Sequence, residues 1–253
     1  MGNKAEPTVE QAKQKINEAI SEMQAYLSDM AENNSNKAVK LSYWIIDWIR
    51  FLKREEHFKP NKLRRYKRGE IIKVHLGFNI GSEYGGLHYA VVIDDNHLFD
   101  PVIRIIPLTS LKAKHDISSL PPGSIYIGNE LFRNLNANYA LKINSMRSEI
   151  NSLAAMIEDP AQADNPSVSD RFGKLFKEKE LLDRMRIEVG KMKQGSVALV
   201  GQITTISKLR IYDPKSNKDV LSGIKLSNEK LDLIDSEIRK LYTKKIDKNS
   251  NEA

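Results

Sequence analysis

Apolar residues recur along this chain at two periods. Val9, Ala12, Ile16, Ile20, Met23, Leu27 and Met30 stand three or four apart, the spacing that lines one face of a helix. Thr8 with Gln11 three positions on makes a capping box, so a helix is expected over 8–31. Glu32-Asn33-Asn34-Ser35-Asn36 breaks it. A second helix, about 36–56, carries Leu41, Trp44, Ile45, Trp48, Ile49 and Leu52 on one side. Two helices joined by so short a turn would pack as an antiparallel pair. Trp44 and Trp48 then read as core aromatics rather than a base-stacking surface, because aromatics at helical spacing are usually buried.

After residue 68 the period shortens. Ile71–Leu76, Ala90–Ile93 and Val102–Pro107 read as strands. Between the first two lies a polar, Gly-rich loop, Asn79–Gly86, which leads to His88 at the start of the second strand; the third strand ends on Thr109 and Ser110. Leu111–Leu120 is a loop, Pro121-Pro122-Gly123 a turn and Ser124–Ile127 a short strand. Helical spacing then returns in two stripes: Ile143, Met146, Ile150, Leu153 and Ile157, then Leu175, Leu182, Met185, Val189 and Met192. With the loop Glu158–Ser169 between them they predict a helical hairpin, about 139–158 and 170–193, inserted into a β domain. Ser196–Val200 is again a strand, Tyr212-Asp213-Pro214 a turn, and Ser227 caps a last helix faced by Leu231, Ile234, Ile238 and Leu241. The expected organisation is a helical extension over 1–58, a linker over 59–67, a β domain with its inserted hairpin over 68–243, and a polar tail over 244–253.

Charge sharpens this picture in one place. The 253 residues carry a net charge of +7, which favours polyanionic partners. Six of the ten residues from Lys59 to Arg68 are Lys or Arg, with Tyr66 among them. That segment reads either as phosphate-contacting, through Arg64, Arg65 and Lys67, or as a solvated linker. The chain has no cysteine. Disulfides, thiolate nucleophiles and Cys-ligated zinc are therefore excluded, and a reducing cytoplasm suits it. No signal-peptide core stands in MGNKAEPTVEQ and no run approaches a membrane span, so a cytoplasmic protein is expected. The histidines have no metal-ligand spacing with carboxylates, so no metal and no cofactor is expected. His57, His75, His97 and His115 receive no role.

Arg68-Gly69-Glu70-Ile71, Gly81-Ser82-Glu83-Tyr84-Gly85-Gly86, Ala90-Val91-Val92-Ile93 and Ile106-Pro107-Leu108-Thr109-Ser110 follow one another in an order that resembles the MazF/PemK toxin family. The family pattern is an RGD- or RGE-initiated strand, a GSEQGG-type loop, an apolar strand, and a strand ending in Thr. Gln202-Ile203-Thr204-Thr205-Ile206-Ser207-Lys208 is similar to the family's QIRTIDK segment, and the helix over 227–242 to its closing helix. The resemblance covers roughly 66–127 and 195–242, and neither the N-terminal helices nor the hairpin. It implies an α+β fold built on a small SH3-like β-barrel, of the MazF/PemK/CcdB-like kind, with a C-terminal helix. It also implies a homodimer and a metal-independent endoribonuclease toxin that cuts single-stranded RNA, leaving 2′,3′-cyclic phosphate and 5′-hydroxyl ends. A cognate antitoxin protein would block the RNA groove. The sequence departs from the family where Arg and Pro normally follow the glycine pair and its aliphatic neighbour: here stand His88 and Tyr89. Gly201 replaces an acidic residue and Thr204 the Arg of QIRT.

Cleavage by an RNA's own 2′-hydroxyl needs a base for the 2′-proton, an acid for the departing 5′-oxygen, and support for charge on the phosphate. Arg serves mainly the last need. His88 can exchange a proton near neutral pH and, when charged, also support the phosphate. The catalytic pair expected is thus His88 as acid or base, with the Thr109 hydroxyl on the scissile phosphate. Ser110 and Gln202 are expected to orient RNA. The loop Ser82, Glu83, Tyr84, Gly85 and Gly86 would gate the groove, its glycines allowing close approach and Tyr84 offering a stacking surface. An alternative is a non-enzymatic module on the same barrel, either inhibiting a protein partner as CcdB does or binding RNA without cutting it. The N-terminal helices could widen a dimer interface or lie in the groove as a built-in antitoxin. The hairpin could be a dimer arm, an antitoxin dock or a substrate guide.

Overall fold

The computed structural model describes residues 6–111, 116–158, 166–192 and 195–243. His115, the polar tail 244–253, and parts of the two loops expected over 111–120 and 158–169 lie outside the described residues. The chain divides into two units, Met1–His57 and Phe58–Ala253.

The first unit holds α1 (Val9–Glu55). Its start is the expected capping box: Gln11 N donates to Thr8 Oγ1 at 3.2 Å and Thr8 N donates to Gln11 Oε1 at 2.9 Å. Asn34 (φ −157°, ψ 72°) interrupts the helical backbone inside the expected break. Its side chain caps the second helical segment, since Lys37 N donates to Asn34 Oδ1 at 3.1 Å. Met30 and Ala38, on either side of this kink, are the buried residues of α1. The expectation that Trp48 is core is corrected, because its side chain is 50% exposed, and Ile16, Ile20, Met23, Ile49 and Leu52 are exposed with it. Trp44 is half-buried and its ring lies 6.2 Å from that of Phe51, two helical turns on.

In the second unit, seven strands make an antiparallel sheet: β1 (Ile71–His75), β2 (Leu87–Val92), β3 (Val102–Ser110), β4 (Ser124–Gly128), β5 (Ser196–Leu199), β6 (Thr204–Ser207) and β7 (Ile211–Asp213). Their order is β4-β5-β3-β2-β1-β7, with β6 also paired to β3. Nine-residue β3 organises the rest. Its first half pairs with β6, from Val102↔Ser207 to Ile105↔Thr204, and its end pairs with β5, from Leu108↔Ala198 to Ser110↔Ser196. The turn Val200–Gln202 carries the chain from one partner to the other. The unit is α+β, and the sheet does not close on itself.

Period-two alternation splits the strands between two cores. Ile72, Val74, Ala90, Val92, Ile103, Ile105, Ile206 and Ile211 pack together on one face. Ile71, Val91, Ile106 and Leu108 pack on the other, under residues from α2 (Glu130–Glu158), α3 (Pro166–Lys191) and α4 (Asn228–Tyr242). α2 begins well before the expected 139, because Leu131 and Leu135 are drawn into this second core. The α2–α3 hairpin has a small core of its own, Leu153, Val168 and Leu175, and its two helices are tied by Arg171 Nε to Glu149 Oε1 at 2.6 Å. Its root instead packs on the sheet through Leu181, Met185 and Met192.

Two expectations change here. Tyr212 and Asp213, expected in a turn with Pro214, belong instead to strand β7, whose Ile211 is fully buried and pairs with Val74; the chain turns from Pro214. The basic segment is fastened to the fold. Tyr66 is fully buried and its phenol donates to Pro214 O at 2.7 Å, and Arg64 pairs with Glu70 at 2.6 Å with both side chains largely covered. Ser227 caps α4 as expected, and the Glu130 carboxylate accepts from both its N–H and its hydroxyl.

Candidate functional site

The β1–β2 loop is closed by its own backbone. Leu76 N donates to Gly86 O at 2.8 Å and Gly86 N to Gly77 O at 2.6 Å. Gly86 adopts φ +94°, a backbone conformation open to glycine. At Gly85 a Cβ would stand 2.7 Å from Gly77 O, so a side chain would force the two loop arms apart. Gln202, from the far side of the hairpin, latches the loop. It accepts from Tyr84 N at 3.3 Å and donates to Ser82 O at 3.4 Å. The chain thus brings its two distant segments together at one amide side chain.

Held in this way, the Tyr84 phenol lies 3.0 Å from His88 Nδ1, with the two rings 4.4 Å apart. Tyr84 Oη also comes within 3.5 Å of Leu108 O. His88 lies inside β2 rather than ahead of it. The β2–β3 register runs Val92↔Ile105, Val91↔Ile106, Ala90↔Pro107. Beyond Ala90 and Pro107 the two strands take other partners, His88 opposite Val74 of β1 and Thr109 opposite Val197 of β5. Burial pushes the Tyr84 phenol above its ordinary range, opposed by a hydrogen bond with Thr109. Burial pushes His88 below its ordinary value, opposed by a hydrogen bond with the Gly85 backbone. At neutral pH the site therefore holds a neutral imidazole beside a protonated phenol, a base paired with an acid.

Two depressions meet at Thr109 and Ser110. One, of about 380 Å³, is lined by His88, Lys73, Tyr89, Ser196 and Lys191 as well as those two residues. The other, of about 590 Å³, adds Ser82, Tyr84 and Gln202 to them, with Pro121, Pro122 and Ser124 opposite. Glu83 lies in a third hollow of about 320 Å³, with Asn79, Thr204 and Arg210.

The residues singled out by sequence therefore fall into three groups. His88, Thr109, Ser110, Ser82, Tyr84 and Gln202 come together around the two joined depressions, and Gly85 and Gly86 shape the loop beside them. Glu83 sits to one side. Arg64, Arg65 and Lys67 line none of these hollows: Arg64 is tied to Glu70, Arg65 Nε donates to Asn96 O at 3.3 Å, and Lys67 N donates to Glu70 Oε2 at 3.0 Å. Sequence reasoning missed Tyr84 as the partner of His88, although their spacing of four across a glycine pair was available as a signal. It also missed Lys73, Tyr89, Glu188 and Lys191. Glu188 Oε1 accepts from Lys73 Nζ and from the Tyr89 phenol, each at 2.5 Å. Burial and the carboxylate together push the Tyr89 phenol far up. Nothing in the local sequence links a hairpin residue to β1 and β2. Among the described residues no group of three His, Asp or Glu is close enough to hold a metal ion.

No known family model matches this chain, and comparison with curated proteins likewise finds no match.

Proposed function

We propose that this protein is an endoribonuclease toxin of the MazF/PemK kind, working on single-stranded RNA without a metal. The observation that carries this reading is the cluster Tyr84–His88–Thr109 at the junction of two depressions, with His88 3.0 Å from the Tyr84 phenol and lining one hollow together with Thr109. Support for a small, SH3-like rolled barrel comes from β3. It carries β2 on one edge and β6 then β5 on the other, and one sheet face wraps its own apolar cluster. The reading brings with it a cytoplasmic homodimer and an antitoxin that covers the depressions.

In this mechanism the scissile phosphate sits at Thr109, whose hydroxyl donates to a non-bridging oxygen. Neutral His88 takes the 2′-proton on Nε2, beside the glycine pair, while Nδ1 gives its own proton to the Tyr84 phenol. The phenol passes its proton to the departing 5′-oxygen. Bond making at the 2′-oxygen and bond breaking at the 5′-oxygen leave a 2′,3′-cyclic phosphate and a 5′-hydroxyl. His88 and Tyr84 end in the opposite tautomeric arrangement and reset through solvent. Relay through a positioned acid and base contributes roughly 10²–10⁴ in rate.

The test is cleavage of varied single-stranded RNAs in EDTA with end-group analysis. We expect cyclic-phosphate ends, and a loss of about 10²-fold or more in kcat for His88→Ala and for Thr109→Ala. Intact RNA with the wild-type protein, or both variants cutting as fast as wild type, sinks the reading. A protein that is toxic in cells and remains so with both residues replaced acts instead as a non-enzymatic module.

A further inference from the structure

The smaller depression has a composition that the proposed chemistry does not use up. Its lining holds two lysines, the hydroxyls of Thr109, Ser110 and Ser196, and the imidazole of His88, and among the described residues it contains no Asp or Glu. Lys73 reaches it from β1, partly covered, with Glu188 behind it as counter-charge. Lys191 reaches it from the last turn of α3. The Lys191 side chain is exposed, and no carboxylate pairs with it among the described residues. A lysine in a last helical turn complements the helix dipole, which accounts for the charge but not for its place on the wall of a hollow that a second lysine also lines. Met192, the next residue, is buried in the core above the sheet and fixes the chain there. Glu188, one turn back, is held by Lys73 and Tyr89. The hairpin root is thus pinned on both sides of Lys191.

We propose that Lys191 and Lys73, with Ser196, form a phosphodiester subsite that grips the backbone phosphate next to the scissile one, so that the inserted hairpin is part of the substrate groove. This rests on the reading of Thr109 as the scissile-phosphate contact. A single-stranded nucleic acid crossing from the larger depression over Thr109 and Ser110 enters the smaller one with its next phosphate facing these cations. Each phosphate neutralised by a lysine releases condensed counterions, which makes its contribution visible as salt dependence.

The experiment measures binding of a 2′-O-methyl RNA oligonucleotide, which cannot be cut by 2′-attack, to the full-length protein across a salt series. Wild type is compared with Lys191→Ala, Lys191→Arg and Lys177→Ala, the last an exposed α3 position fourteen residues, about 21 Å, away along the helix. Loss of one phosphate contact lowers the slope of log K against log salt by about 0.7 for a single strand. We expect that drop for Lys191→Ala, with restoration in Lys191→Arg and no change for Lys177→Ala. An unchanged slope in Lys191→Ala, or an equal drop in Lys177→Ala, overturns the subsite. Parallel assays with unmodified RNA in EDTA separate this from the enzymatic reading. Cleavage with an unchanged slope overturns the subsite alone, and a lowered slope without any cleavage overturns the nuclease alone. A protein that binds no RNA at any salt overturns both.

Discussion

At the scale of single residues, His88 is the position on which the chemistry turns. Its imidazole is displaced toward the neutral form by burial, and a base must be neutral to accept a proton. The folded pKa lies below the ordinary 6.5, so activity should rise as pH climbs through a midpoint below 6.5 and be fully developed at neutrality. A kcat/KM profile with its acidic limb centred above about 7 would contradict this. The same depression makes folding favour the neutral ring: this contribution to stability is present above pH 6.5 and is lost as pH falls through the folded pKa. Tyr84→Phe keeps the ring that stacks on His88 and removes the phenol 3.0 Å from Nδ1. We expect kcat to fall by about 10²-fold with Tm little changed, because the relay is cut while the packing stays. A variant with wild-type kcat would remove Tyr84 from the mechanism. Gly85→Ala works through shape instead. The added methyl meets Gly77 O, and prising the loop arms apart should destabilise the protein by roughly 1–3 kcal/mol in urea unfolding.

At the scale of elements, strand and helix existence was legible and side-chain partnership was not. The runs at 71–76, 90–93 and 102–107 announce strands by apolar continuity, and that continuity is real because both faces of β1, β2 and β3 are buried. Their ends were harder. Thr109-Ser110 end β3 as expected, whereas Leu87-His88-Tyr89 extend β2 through pairing with β1, which no local pattern reveals. Tyr212-Asp213-Pro214 looked like a turn because of the proline, yet its first two residues belong to β7, whose Ile211 completes a core. The basic run 59–68 looked like a linker because charge usually means solvent, yet Glu70 and the Pro214 carbonyl draw Arg64 and Tyr66 inward. In the candidate site, His88 and Thr109 were singled out from their places at strand ends and from the family resemblance. Lys73, Glu188 and Lys191, and the pairing of Tyr84 with His88, came from tertiary distance. Glu188 holds such a partnership together: Glu188→Ala leaves the Lys73 ammonium and Tyr89 phenol, both partly buried, without their shared acceptor. A loss of about 1–3 kcal/mol is expected, and calorimetry showing an unchanged Tm would reject it.

At the scale of the whole molecule, the two units are built on different terms. Among the described residues, none before Leu63 belongs to any of the three buried clusters. A chain starting at Phe58 holds all three clusters and should unfold in one cooperative transition; a broad, uncooperative melt in calorimetry would contradict this. Asn34 caps the distal part of α1, so Asn34→Ala should lower helix content on heating through a loss of about 0.5–2 kcal/mol, read by far-ultraviolet circular dichroism.

The hairpin also bears on the time the sheet needs to form. β4 ends at Gly128 and pairs with β5, which begins only at Ser196. A floppy tether of that length would make their meeting slow, since closing a long loop must precede the contacts that reward it. α2 and α3 need no such wait, because their neighbours are near in sequence and Leu153, Val168 and Leu175 give them a seam of their own. Once zipped, they bring Gly128 and Ser196 to the same end of a short rod, and the two strands start almost adjacent. The insertion then acts as a folding clasp: Leu153→Ala, far from β4 and β5 in sequence, should slow the refolding of the sheet as well as weaken the rod.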